Sequence, residues 1–185
     1  MPFTLYHSGP SALIALPLRK FIDIPVFIFA NVIVDIEVLV VAFTRVQFYA
    51  GGGLHPIAHT YLFGTLIAIV WGVLSSLFLR KPYAKLMTAF RLDYQTNTIK
   101  IIASALLGVW FHIFVDCMYH KDLHPLYPFS MSNPLNFRLD ATLVKDICRI
   151  SFVPAVIFYF VIVIRRERRI RRNAPDNSFI NSSDL

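Results

Sequence analysis

Charge is what this sequence lacks most. Only 16% of its 185 residues are charged, while 56% are hydrophobic; a soluble globular domain is about a quarter charged. So little polar surface cannot cover a water-exposed sphere, and lipid is the implied solvent for most of the chain. Cysteine is scarce too. Cys117 and Cys148 both fall in apolar runs, which excludes a disulfide framework. Lys and Arg are missing from the first 18 residues, and the first basic pair, Arg19-Lys20, follows an apolar run instead of preceding it. That order is the reverse of a secretory signal peptide.

What is present in quantity is apolar sequence. About 20 apolar residues in helix cross the roughly 30 Å hydrocarbon core of a bilayer. Four runs reach that length: Ile24 to Phe43, Pro56 to Leu79, Thr98 to Tyr119 and Leu143 to Ile164. Pro10 to Leu18 is too short to span, and it reads as a re-entrant or interfacial half-helix or a short fifth helix. The fold expected is therefore an all-α polytopic membrane bundle: four full transmembrane helices plus the short N-terminal one. Residues 1–172 form the membrane-embedded domain and 173–185 a polar, disordered tail. Between the runs, Gly51-Gly52-Gly53 reads as a flexible turn, with Pro56 suited to the first helical position after it. Arg80-Lys81-Pro82 reads as the end of the second helix, and the proline-containing stretch 120–140 as an ordered loop.

Six of the eighteen Lys and Arg lie in the run Arg165 to Arg172, directly after an apolar segment. This reads as a cytoplasmic stop signal in contact with anionic lipid, not as a nucleic-acid surface. With the C-terminus inside, thirteen basic residues fall on the inner side (Arg19, Lys20, Arg80, Lys81, Lys85, Arg91, Lys100 and the six of the run). Five fall outside (Arg45, Lys121, Arg138, Lys145, Arg149). The excess supports that orientation in an inner, cytoplasmic membrane.

On this topology every histidine comes to the outer side, at the depth of the intramembrane acids. His7 precedes the short segment, Asp35 and Glu37 lie in the first full helix, and His55 and His59 start the second. His112 and Asp116 lie in the outer half of the third helix, and His120 and His124 follow it. A charged side chain in hydrocarbon costs about 2.5–3.5 kcal/mol or more, so these acids need compensation. A divalent metal supplies it, because it takes carboxylate oxygen and imidazole nitrogen together. His112-x3-Asp116 and His55-x3-His59 have the four-residue spacing that puts two side chains on one helix face. Asp35 and Glu37 are about 200° apart around a helix, so both cannot reach one ion from a regular helix. The candidate ligands are His7, Asp35, His55, His59, His112 and Asp116, holding one or two ions: zinc first, manganese or iron as alternatives. Asp35 and Glu37 are the candidate catalytic acids, Glu37 as general base or orienting group. His120 and His124 read either as substrate-binding or as plain loop residues.

The order Pro2-Phe3-Thr4-Leu5-Tyr6-His7, Val34-Asp35-Ile36-Glu37, His55-x3-His59-Thr60 and His112-x3-Asp116 resembles a family of bacterial and archaeal membrane-bound metal-dependent hydrolases, the YdjM-like, LexA-regulated inner-membrane type. The resemblance covers most of residues 1–130. That family is distantly similar to zinc-dependent phospholipase C, a helical fold whose His and Asp residues hold zinc. The resemblance implies a phospholipase-like or lipid-phosphatase activity on a membrane lipid or lipid-linked substrate. Two other classes fit intramembrane acids and histidines: an ion or proton transporter, and a haem protein with His59 and His112 as axial ligands. Partner proteins and oligomeric state are not legible in the sequence.

Overall fold

A computed structural model of the chain describes residues 4–44 and 57–173. Among them there are helices and turns and no strand. A 3-10 turn, Thr4–His7, leads into α1 (Ser8–Ala15). The others are α2 (Ile24–Thr44), α3 (Tyr61–Leu74), α4 (Arg80–Ala89), α5 (Thr98–Cys117), α6 (Ala141–Ile150) and α7 (Phe152–Arg172). Three helical rods are long and apolar enough to cross a membrane: Tyr61–Ala89, Thr98–Cys117 and Ala141–Arg172. Large apolar side chains stand exposed along them, among them Leu66, Val70 and Leu77 on one and Val153, Ile157 and Phe160 on another. An apolar surface of this extent suits lipid contact. The eight-residue α1 rises only about 12 Å, less than the roughly 30 Å hydrocarbon core of a bilayer. The expected turn at residues 51–53, His55, Pro56 and the tail 174–185 lie outside the described residues.

The observed boundaries correct the sequence reading at three places. α3 begins at Tyr61, because Thr60 is extended and accepts the Phe63 N–H with its side chain as an N-cap. The same rod does not stop at Arg80-Lys81-Pro82. It passes through a widened π turn, Ser75–Leu79, and continues to Ala89. In a regular helix the Pro82 ring would meet the carbonyl four residues back, and the wider turn makes room for it. The last rod starts at Ala141, where Asp140 caps it, and is interrupted at Ser151 between the amphipathic α6 and the apolar start of α7.

α5 is the central helix. Ile101, Ala105, Val109, Ile113 and Cys117 on it are all fully buried between α2 and α3. Small residues let the backbones close. On α3 the buried Gly64, Ala68 and Gly72 recur every four residues and face α5. A Cβ at Gly72 would stand 3.1 Å from the Ile102 Cα, and one at Gly108 of α5 only 2.6 Å from the Phe27 carbonyl of α2. Without water to drive them together, membrane helices associate through such close packing.

The end of the bundle away from the histidines is tied by Asp23, which sequence analysis passed over. It is 1% exposed. Its carboxylate accepts the Val26 N–H, the Tyr94 hydroxyl and the Thr96 hydroxyl, and its own N–H donates to Ser104 Oγ. One acid thus caps α2 and holds the 92–97 segment and α5 against it. That segment is turned back toward Asp23 by Arg91, whose positive φ of 53° closes the end of α4.

Candidate metal centre

Four side chains from three elements converge at the other end of the bundle. His112 and Asp116 come from consecutive turns of the inward face of α5. Asp35 comes from α2. His59 comes from the 3-10 turn Ile57–His59 that precedes α3. That turn is braced on both sides. Thr60 Oγ1 donates to the Ile57 carbonyl, and the Tyr61 N–H donates to the Pro125 carbonyl of the 118–140 loop. Glu37, on a different face of α2 from Asp35, accepts the Ala58 N–H. The two acids of Asp35-x-Glu37 therefore divide as their angular separation requires: one points at the centre, the other holds the turn that carries His59.

One ligand atom from each of the four side chains lies within 4.8 Å of all the others, a group that could hold a metal ion. Asp35 Oδ1 is 3.2 Å from His59 Nε2 and 3.2 Å from His112 Nε2. Asp116 Oδ2 is 3.2 Å from His112 Nε2 and 3.7 Å from His59 Nε2, and the two nitrogens are 3.4 Å apart. Zinc bonds of about 2.0–2.1 Å at tetrahedral angles set ligand atoms about 3.3–3.4 Å apart. Four of the five separations fall within 0.2 Å of that span, and the donor set, two imidazoles and two carboxylates, is one that zinc, manganese and iron accept. His59 and His112 are 0% exposed and Asp116 4%, so the Asp116 carboxylate is taken out of water and needs a positive charge beside it, which a protonated imidazole or a bound cation supplies. Asp35, with its side chain 17% exposed, is the open side of the group.

A third imidazole lies behind the ligands. His7 Nε2 lies 3.4 Å from Asp116 Oδ1, and His7 Nδ1 lies 3.1 Å from His112 Nδ1. Burial pushes the His7 imidazole below its ordinary pKa, against the pull of Asp116, so the ring is neutral at pH 7. Its proton belongs on Nε2, beside the carboxylate, which leaves Nδ1 to accept from His112 Nδ1–H. With a metal bound, His112 Nε2 would then present its lone pair to the centre, the tautomer that a metal needs. Burial likewise lowers the pKa of His59. Tyr119 donates its hydroxyl to Asp116 Oδ1 at 3.0 Å, a contact sequence analysis missed although Tyr119 sits three residues after Asp116.

His7 was expected as a ligand; the structure sets it one layer back, against His112 and Asp116. Substituting Phe for His7 is accordingly expected to weaken metal binding by roughly 10–100-fold, the usual cost of removing an orienting partner, read by competition with a chelator of known affinity. A loss as complete as that from removing Asp116 would make His7 a direct ligand. His120 packs its ring on Tyr119 and lies 3.7 Å from Asp122. His124 Nδ1 meets the Met131 carbonyl. Both are held in the loop outside the four-atom group. His55 lies outside the described residues.

Among known protein families, curated proteins and solved structures, nothing matches this chain.

Proposed function

We propose that the chain is an integral membrane metal-dependent hydrolase that acts on a phospholipid or lipid-linked phosphate. The observation that carries the proposal is the convergence of His59, His112, Asp35 and Asp116 in an otherwise apolar bundle, with one open side. In this reading α2 is the fourth crossing, the C-terminus is cytoplasmic, and the centre lies in the outer half of the inner membrane. The resemblance of the ordered His and Asp motifs to membrane-bound hydrolases supports the same assignment. A bound divalent ion, zinc by preference, would lower the pKa of a water toward about 7 and polarise a phosphoryl oxygen.

The chain's own residues divide the remaining work. His59, His112 and Asp116 hold the ion from the buried side. Asp35, at the open side, is the ligand beside which water and substrate would arrive, and it is placed to accept a proton. Glu37 positions His59 through the Ala58 N–H. The exposed apolar flank beside Asp35, including Ile36, lets a lipid approach sideways from the bilayer. A haem is disfavoured: imidazole nitrogens 3.4 Å apart, each within 3.7 Å of both carboxylates, leave no slot for a porphyrin plane.

The test is elemental analysis of detergent-purified protein together with phosphate and headgroup release from phosphatidic acid and phosphatidylglycerol vesicles, with and without chelator. About one metal ion per chain and hydrolysis lost on chelation are expected. Metal without hydrolysis across a panel of lipid phosphates would leave a metal-stapled scaffold. A metal-free protein that cannot be reconstituted would sink the mechanism and favour an ion path.

A further inference from the structure

A second concavity lies at the opposite end of the bundle from the metal-ligand cluster. Its volume is about 530 Å³, and six cations from three separated parts of the chain line it: Arg19 and Lys20 from the turn between α1 and α2, Lys100 from the first turn of α5, and Arg165, Arg166 and Arg169 from α7. One carboxylate, Asp93, also lines it and pairs with Arg166 at 2.7 Å. Lys100 is held in place by two carbonyls, those of Arg19 and Gln95, each at 2.8 Å from Nζ. Lys20, Arg165 and Arg169 have no ion-pair partner among the described residues. Arg165 and Arg169 are one turn apart, a like-charge spacing that disfavours the helix unless an anion intervenes. A tail flank that only stops translocation does not require cations from three segments around one cavity.

An apolar groove of about 340 Å³ runs alongside, between α1, α2, α4 and α7. Only Tyr159 brings a side-chain oxygen or nitrogen to it, and that hydroxyl donates to the Phe90 carbonyl. The two concavities share walls in register. α7 lines the groove with Phe152, Val156 and Tyr159, then the basic cavity with Ile162 and Arg165. The segment after α4 does the same with Leu92 and then Asp93, and the segment after α1 with Leu16 and then Arg19. Two of these segments, α7 and the one after α1, therefore pass from apolar to cationic in the same direction, over about 20 Å of helix from Phe152 to Arg165 at 1.5 Å per residue, and the third passes from Leu92 to the Asp93 that pairs with Arg166.

We infer that this is a binding site for one phospholipid with an anionic phosphate headgroup, the phosphate among Lys100, Arg165 and Arg169 and an acyl chain along the Val156 groove. Arg and Lys together hold phosphate oxygens through charge-assisted hydrogen bonds, and the groove adds the burial of methylenes. A free phosphate would use the cavity and leave the groove empty. The site is separate from the metal centre: Lys100 and His112 are about 18 Å apart along α5, too far for one headgroup to reach both. It stands whether or not the centre hydrolyses anything.

The experiment uses full-length, chelator-treated protein in dodecylmaltoside, so that the metal centre cannot turn the probe over, titrated with dioleoyl phosphatidic acid, dioleoyl phosphatidylcholine or inorganic phosphate, with bound lipid counted by native mass spectrometry and stability followed by thermal unfolding. One phosphatidic acid per chain is expected, well below the concentration at which phosphatidylcholine is retained, with little shift from inorganic phosphate. Arg165→Gln with Arg169→Gln should weaken phosphatidic acid binding by roughly tenfold or more, while Arg168, Arg171 and Arg172 keep the inner flank basic. Val156→Trp, which fills the groove and leaves every charge in place, should weaken it comparably. Unchanged binding in both variants would overturn the site. Inorganic phosphate that stabilises the protein as much as the lipid does, and competes with it fully, would overturn the lipid assignment in favour of a free-phosphate site.

Discussion

Asp116→Asn is expected to empty the metal centre and leave the bundle standing. The substitution keeps the volume and lets the side-chain oxygen go on accepting the Tyr119 hydroxyl. It replaces the anionic oxygen, 3.2 Å from His112 Nε2 and 3.7 Å from His59 Nε2, with a neutral group that cannot serve as an anionic ligand. Metal affinity should fall by more than about a hundredfold, beyond the loss expected from an orienting residue such as His7. The stability change separates this reading from a purely structural hydrogen-bonded cluster. On the metal reading the carboxylates lack full compensation when the ion is absent, so the variant should unfold at the same temperature as metal-free wild type or higher. With metal at a hundredfold excess over Kd, wild type should gain about 2.7 kcal/mol by linkage, and the variant nothing. Thermal unfolding in detergent, with zinc and with chelator, reads both arms. A variant that unfolds well below metal-free wild type would mean that Asp116 holds the fold and not an ion.

Filling the α2–α5 contact is the second large effect. A Cβ at Gly108 would lie 2.6 Å from the Phe27 carbonyl and 2.7 Å from the Ala30 Cβ. Neither neighbour is the end of a flexible side chain, so α2 itself must move. Gly108→Val should cost about 1–3 kcal/mol by overpacking. It should also displace Asp35, which rides on α2, from the two imidazoles at 3.2 Å. Metal sites tolerate about 0.2 Å of error in their bond lengths, so binding should fall by at least tenfold even where the protein still folds. Gly72→Ala is the control. Its Cβ would meet Ile102 at 3.1 Å at the other end of α5, so it should lower the melting temperature without changing metal affinity. Equal losses of metal in both variants would show that the centre answers to global stability and not to the α2–α5 spacing.

The legible part of the centre was the part that lies on one helix. His112 and Asp116 face one way because 3.6 residues per turn leaves no other choice, and the opposed directions of Asp35 and Glu37 follow from the same number. His59 was legible as a candidate but not as the product of a 3-10 turn, because Thr60 and Glu37 fix that turn by contacts across 3 and 21 residues. The place of His7 behind His112, a contact across 105 residues, has no local signal at all. Pro82 reads locally as a helix end, and only the π turn before it shows how the helix continues.

The sequence by itself determined that the chain is helical and rich in apolar surface, where the apolar runs lie, and that Asp35, His59, His112 and Asp116 are candidates for one cluster. Those properties are set by composition and by the fixed rise and pitch of a helix, and no tertiary contact can alter them. Tertiary structure alone decided which four atoms meet, which imidazole nitrogen faces inward, and that six cations and an apolar groove share their walls. Each of these depends on how closely α2, α3, α5 and α7 approach one another. That approach is set by small residues such as Gly64, Gly72 and Gly108, whose effect is felt only against a neighbouring helix.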